Sequence, residues 1–151
     1  MRRSLLLASL MLAASTVAAR SQEAVTTYRS DTSFSDVVAD MEDAIVNRGF
    51  VVDYHGFIGD MLKRTAADIE GATRLYRDAE FFQFCSAVMS RKAMEADTGN
   101  IAFCPYVLFV YETEKDTGTV TVGFRRLPDG PGRDEINNLL DEIAREASGQ
   151  F

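Results

Sequence analysis

The chemistry this sequence offers near neutral pH is concentrated in one imidazole and two thiols. His55 is the single histidine of the chain, and an imidazole can act as acid, base or ligand in that range. Asp53 stands two residues earlier; on a strand that spacing sends both side chains to one face, where a carboxylate orients the ring or raises its basicity. The plainer reading of His55 is a partly exposed strand residue ahead of a bend at Gly56. Cys85 and Cys104 are the only cysteines. Each lies at a strand end, so antiparallel neighbours would bring them within bridging distance. A structural disulfide, two buried thiols, and a redox-active or metal-binding pair are the readings that residue type leaves open. Tyr106, at the start of the strand after Cys104, joins His55 and Asp53 as a candidate ligand- or cofactor-contacting residue. Met89 and Met94 read as core, with ligation of iron or copper beside His55 as a second reading.

What is missing narrows the chemistry further. A single histidine and two cysteines cannot build a multi-histidine or cysteine-rich zinc site. The sequence has no Cys-x-x-Cys for a thioredoxin-type couple and no Cys-x-x-Cys-His for covalent haem. It also has no glycine-rich phosphate loop and no Gly-x-Ser-x-Gly nucleophile elbow. No catalytic residue set is therefore assigned.

The N-terminus reads as a cleavable secretory signal over residues 1–19. Met1-Arg2-Arg3 is a short cationic region, Leu5 to Ala14 an apolar run broken only by Ser9, and Val17-Ala18-Ala19 a small-residue cleavage site. The apolar run falls short of the roughly 20 residues of a membrane span, and no later stretch of that length lacks charges. The expected location is the periplasm, with no span after cleavage. Cleavage takes Arg2 and Arg3 from 16 basic residues, so 14 remain against 23 acidic ones, a net charge of -9. Such a surface argues against nucleic acid as a partner. About 130 residues suit one domain with one core, here over 20–151. An oxidising compartment also favours pairing of Cys85 with Cys104.

The elements that must position these residues follow from periodicity. Val25 to Tyr28 reads as a short strand. Ser33 and Asp36 form a capping-box-like pair ahead of a helical stripe of Phe34, Val37, Val38, Met41 and Ile45, closed by Gly49. Phe50 to Ile58 is a strand, with Asp53, His55 and Phe57 on one face. Asp60 is the expected cap of a helix carrying Met61, Leu62, Ala66 and Ile69 that ends at Gly71, followed by a polar connection through Arg74 and Arg77. Glu80 to Cys85 is a third strand, and Ser86 caps a helix reaching Ala96. Thr98-Gly99-Asn100 is a turn. Tyr106 to Tyr111 is almost wholly apolar, as in a central strand covered on both faces. Asp116-Thr117-Gly118 signals a hairpin to Thr119–Arg126, and Ile136, Leu139, Leu140 and Ile143 mark a last helix. The order β-α-β-α-β-α-β-β-α, ending in a hairpin and a helix, is α+β: helices packed on a mainly antiparallel sheet.

The run from Phe84-Cys85-Ser86-Ala87 to Asn100-Ile101-Ala102-Phe103-Cys104-Pro105-Tyr106 resembles the domain-of-unknown-function 302 family. So do the apolar strand to Tyr111-Glu112, Val122-Gly123-Phe124-Arg125-Arg126, Gly49-Phe50 and Asp53-Tyr54-His55-Gly56. The likeness spans about Val25 to Leu127. Family members more often show Cys-Asn-Pro and Pro-Cys where this chain has Cys85-Ser86-Ala87 and Cys104-Pro105. The resemblance implies a small α+β domain, a homodimer and export from a bacterial cell; it narrows the fold more than the function, and haem or another small ligand is not a property of the family.

The leading functional expectation is a non-enzymatic binding module for a small apolar molecule or non-covalent haem, held in an aromatic pocket or dimer groove. Thiol-disulfide chemistry at Cys85 and Cys104 is the first alternative. An accessory subunit docking on an envelope complex is the second.

Overall fold

The computed structural model describes residues 24–150, so the expected signal at 1–19 lies outside the described residues. Among them the chain runs β1 (Val25–Ser30), α1 (Phe34–Val46), β2 (Val52–Gly56), α2 (Ile58–Thr65), β3 (Tyr76–Phe84), α3 (Ala87–Ala96), β4 (Tyr106–Thr113), β5 (Val120–Arg125) and α4 (Asp134–Ala147). Short 3-10 segments follow α2 at Ala66–Asp68 and α3 at Thr98–Phe103. The five strands form one sheet in the order β1-β5-β4-β3-β2, every pair antiparallel. This is the α+β order expected from the sequence.

The start of α1 is built as the capping pair requires. The Ser33 hydroxyl accepts from the Asp36 amide and donates to the Asp36 carboxylate, which satisfies one of the unpaired N–H groups of the first turn. Gly49, at φ +81°, turns the chain out of the helix through the left-handed region that a side chain disfavours. Ser86 likewise accepts from the Met89 amide to start α3.

Helices α1 and α4 pack on one another and cover one face of the sheet. Val37, Met41 and Ile45 of α1 and Leu140 and Ile143 of α4 bury completely against Phe82, Phe84, Leu108, Val110, Val122 and Phe124. Each such side chain contributes roughly 1.5–3 kcal/mol by leaving water. Asn137, buried in α4, ties the end of β5 to this layer. Its side chain accepts from the Leu127 amide at 2.9 Å and donates to the Leu127 carbonyl at 3.0 Å.

Several boundaries differ from the sequence reading. The chain leaves β2 at Gly56, and α2 starts at Ile58 with no side-chain cap; Asp60 lies inside its first turn. Strand β3 reaches back to Tyr76, so the polar stretch at Arg77 is strand, paired with β4. Thr98-Gly99-Asn100 opens a 3-10 helix held by Asn100, whose amide donates to the Ala93 carbonyl at 2.7 Å and the Pro131 carbonyl at 3.0 Å. Strand β4 does not have helices on both faces. Its Leu108 and Val110 face α1, whereas Phe109 and Tyr111 on the other face are half-exposed. Among the described residues no helix is long and apolar enough to cross a membrane.

Candidate functional site

The suspect residues fall into two groups on the helix-covered side, and a third feature lies on the opposite face. At the edge of the sheet, a bulge between Val52 and Tyr54 takes Asp53 out of register. Regular alternation would have paired Asp53 with His55. Instead Val52 lies opposite Phe84 and His55 opposite Phe82, so these two share the core-facing side. The carboxylate on the imidazole comes from the neighbouring strand: Glu80 is 2.6 Å from His55 Nε2. The His55 ring packs against the rings of Phe82, at 4.1 Å, and Phe57, at 4.5 Å. Asp53 is exposed. With Nε2 engaged by Glu80 and two aromatic rings packed on it, His55 is held in place at the sheet edge. Among the described residues no cluster of three or more His, Cys, Asp or Glu side chains is placed to hold a metal ion.

The second group is at the far end of β3. Cys85 and Cys104 are bonded, with Cα atoms 6.2 Å apart, and join the end of β3 to the start of β4. Cys85 immediately precedes Ser86, the N-cap of α3. Tyr106 is 2 % exposed and packs edge-on against Phe84. Its hydroxyl is 2.7 Å from that of Ser90, which in turn is 3.8 Å from the Cys104 sulfur. Burial pushes the Tyr106 phenol up, against a smaller downward pull from Ser90. Tyr106 is thus a core residue beside the disulfide. It does not meet His55. Met89 packs against the core, on a helix whose main partner is the 3-10 segment Thr98–Phe103.

The open face of the sheet carries a feature that no single residue of the sequence marks. Phe81 and Phe109 are directly opposed on β3 and β4, between Gly56 on β2 and Gly123 on β5. The Phe81 ring lies over Gly56, where an added Cβ would come within 2.2 Å of it. The Phe109 ring lies over Gly123, where a Cβ would meet it at 2.6 Å. The two rings therefore turn outward, each into the space left by a glycine. Tyr54 sits 5.6 Å from Phe81, and Tyr111 stacks 6.1 Å from Phe109. Ala79 is the small residue opposite Tyr111. Above it, bounded by Ile58, Phe81, Phe109 and Tyr111, is a slot of about 240 Å³.

Helix α2 extends this surface. It runs beside β3 where β2 has ended, so close that a Cβ on Gly59 would meet the Ala79 amide at 2.8 Å. Between α2 and the segment leading into β3 is a hollow of about 580 Å³, lined by Leu62, Ala66, Ile69, Leu75 and Tyr76, with Lys63 and Arg74 among its polar residues. Ile69 and Leu75 are 57 % and 58 % exposed. Tyr76 lines both the hollow and the slot. The sequence signal that could have found this surface is the doubly apolar strand Tyr106–Tyr111 followed by Gly123 on its partner.

An antiparallel sheet with one face under two helices and the other lined by aromatics defines a small α+β domain of mixed buried and open faces. The family model described as Domain of unknown function DUF302 matches residues 26–149, which includes α4 beyond the span of the sequence likeness. The chain belongs to the DUF302 family. Its fold is similar to the crystal structure of an uncharacterized conserved DUF302 protein from Bacillus stearothermophilus. The TM-score is 0.67 and the identity 15 %, over 83 % of this chain and 99 % of that one. No curated protein matches.

Proposed function

We propose that this chain is an exported, non-enzymatic module that binds a small, mainly apolar molecule in the trough formed by the α2 hollow and the open sheet face. The observation that carries the reading is the adjacency of the two spaces, which share Tyr76 as a lining residue, backed by exposed Ile69 and Leu75 on the rim of the hollow. The hollow is of the size that takes small ligands, roughly 300–1,000 Å³. Export is supported by the cationic, apolar and small-residue succession of residues 1–19 and by the bonded cysteine pair. His55, Asp53 and Tyr106 take no part in this site. The test is titration of the purified domain with dansyl-labelled undecanoate. Saturable one-to-one binding, lost in Leu62→Lys while the fold is retained, is the expected result; no saturable signal, or an unchanged Leu62→Lys curve, refutes it.

Thiol-disulfide exchange is the second reading. It is favoured by the place of Cys85 at the N-terminus of α3, where aligned backbone dipoles stabilise a thiolate. A measured potential for the pair below about -300 mV would make the bridge purely structural.

A further inference from the structure

We infer that the slot above Ala79 is a subsite for a planar aromatic group, the part of the trough that confers selectivity by shape. The inference rests on the binding reading above and goes beyond it in naming the chemistry of the occupant. Its starting point is the arrangement of glycines. Directly opposed aromatic residues on neighbouring antiparallel strands ordinarily interact with each other across the strands. Here Phe81 and Phe109 occupy such a pair but turn apart, because Gly56 and Gly123 give each ring a recess on its outer side. A residue with a Cβ at either glycine would force the ring back toward the middle and close the slot.

The walls then determine what fits. Phe109 and Tyr111 form a nearly parallel stack, 18° between planes, on one strand. Tyr76 packs edge-on against Tyr111 at 5.5 Å and borders the end nearest the α2 hollow. Ile58 borders the slot from the start of α2, and the Ala79 methyl is its floor. At about 240 Å³ the space is smaller than the roughly 300–1,000 Å³ of sites for whole drug-sized ligands. It takes a unit of one or two rings, with the remainder of the molecule lying toward the α2 hollow through Tyr76. Aromatic walls favour a third aromatic ring through offset or edge contacts that a saturated ring of the same outline cannot make.

The experiment compares 2-naphthol with decahydro-2-naphthol, matched in skeleton and hydroxyl, by isothermal titration of the domain, alongside undecanoate, an apolar chain without a ring. The slot predicts at least ten-fold tighter binding of the planar compound. Ala79→Leu, which fills the floor, should weaken 2-naphthol at least ten-fold and leave undecanoate, which has no ring to place in the slot, within two-fold. Phe81→Leu keeps the wall apolar but removes one of its rings, and should narrow the preference for the planar compound at least three-fold. Melting curves check that each variant is folded. Equal affinities in the wild type, or an unchanged Ala79→Leu, overturn the aromatic slot while undecanoate binding leaves the wider trough standing. Failure of all three compounds to bind overturns both. A stable dimer in sedimentation whose dissociation is required for 2-naphthol to bind would also overturn it, giving the face to a second copy.

Discussion

Replacing both Cys85 and Cys104 by serine removes the cross-link between the end of β3 and the start of β4, and the cost can be worked from the fold. The two residues are 19 apart in sequence. In the chain-entropy treatment, a loop of that length, left open in the unfolded chain, lowers stability by about 3 kcal/mol. For a domain of roughly 130 residues the unfolding entropy is about 0.27 kcal/mol per kelvin, so the melting temperature should fall by about 11 °C. The assay is scanning calorimetry of the oxidised domain, the same sample reduced, and the Cys85→Ser/Cys104→Ser variant, with thiol titration of each. The reduced and serine forms should melt together, well below the oxidised form. If the oxidised sample has no free thiol and yet all three melt within 3 °C, the bridge does not constrain the chain as argued.

Glu80→Ala should destabilise the fold by about 1–3 kcal/mol, because His55 then loses its hydrogen-bond partner in a half-buried position; chemical denaturation measures this, and a change below 0.5 kcal/mol contradicts it. Asn137→Ala removes both bonds to Leu127 from the interior and should cost a similar amount, about 1–3 kcal/mol, read from the urea midpoint at unchanged slope. Tyr106 ionises above the ordinary phenol value of about 10, held there by burial. Since its pKa is higher folded than unfolded, its neutral form supports the fold fully below about pH 10, and that support fades as pH rises through the folded value. The difference in tyrosinate absorbance between wild type and Tyr106→Phe should therefore emerge only above pH 10; emergence below it would show an exposed phenol.

Most of the architecture was legible because it rests on local rules. Ser33 and Asp36 announced the start of α1, Gly49 its end, and Asp116-Thr117-Gly118 the β4–β5 hairpin, each through chemistry confined to a few neighbouring residues. The failures share a cause. Strict alternation puts Asp53 and His55 on one face, and a bulge defeats it without leaving a mark in composition. Glu80, the true partner of His55, is 25 residues away and is brought in only by strand pairing. The open face is hidden from the sequence for a related reason. An apolar strand has the same composition whether its second face meets a helix layer or is left half-exposed, and β4 is of the second kind. The slot itself depends on Gly56 and Gly123 lying across four strands from one another, a relation visible only once the register is known.

The trough is tested most directly by recording methyl and aromatic NMR spectra of the domain while dansyl-undecanoate is added. Saturable shifts should appear at Leu62, Ile69 and Leu75 in the hollow and at Ile58 and Phe81 next to it, with Leu108 and Ile143 under the helix layer unmoved. Shifts confined to the surroundings of His55 and Phe57, or none at saturation, would contradict the account.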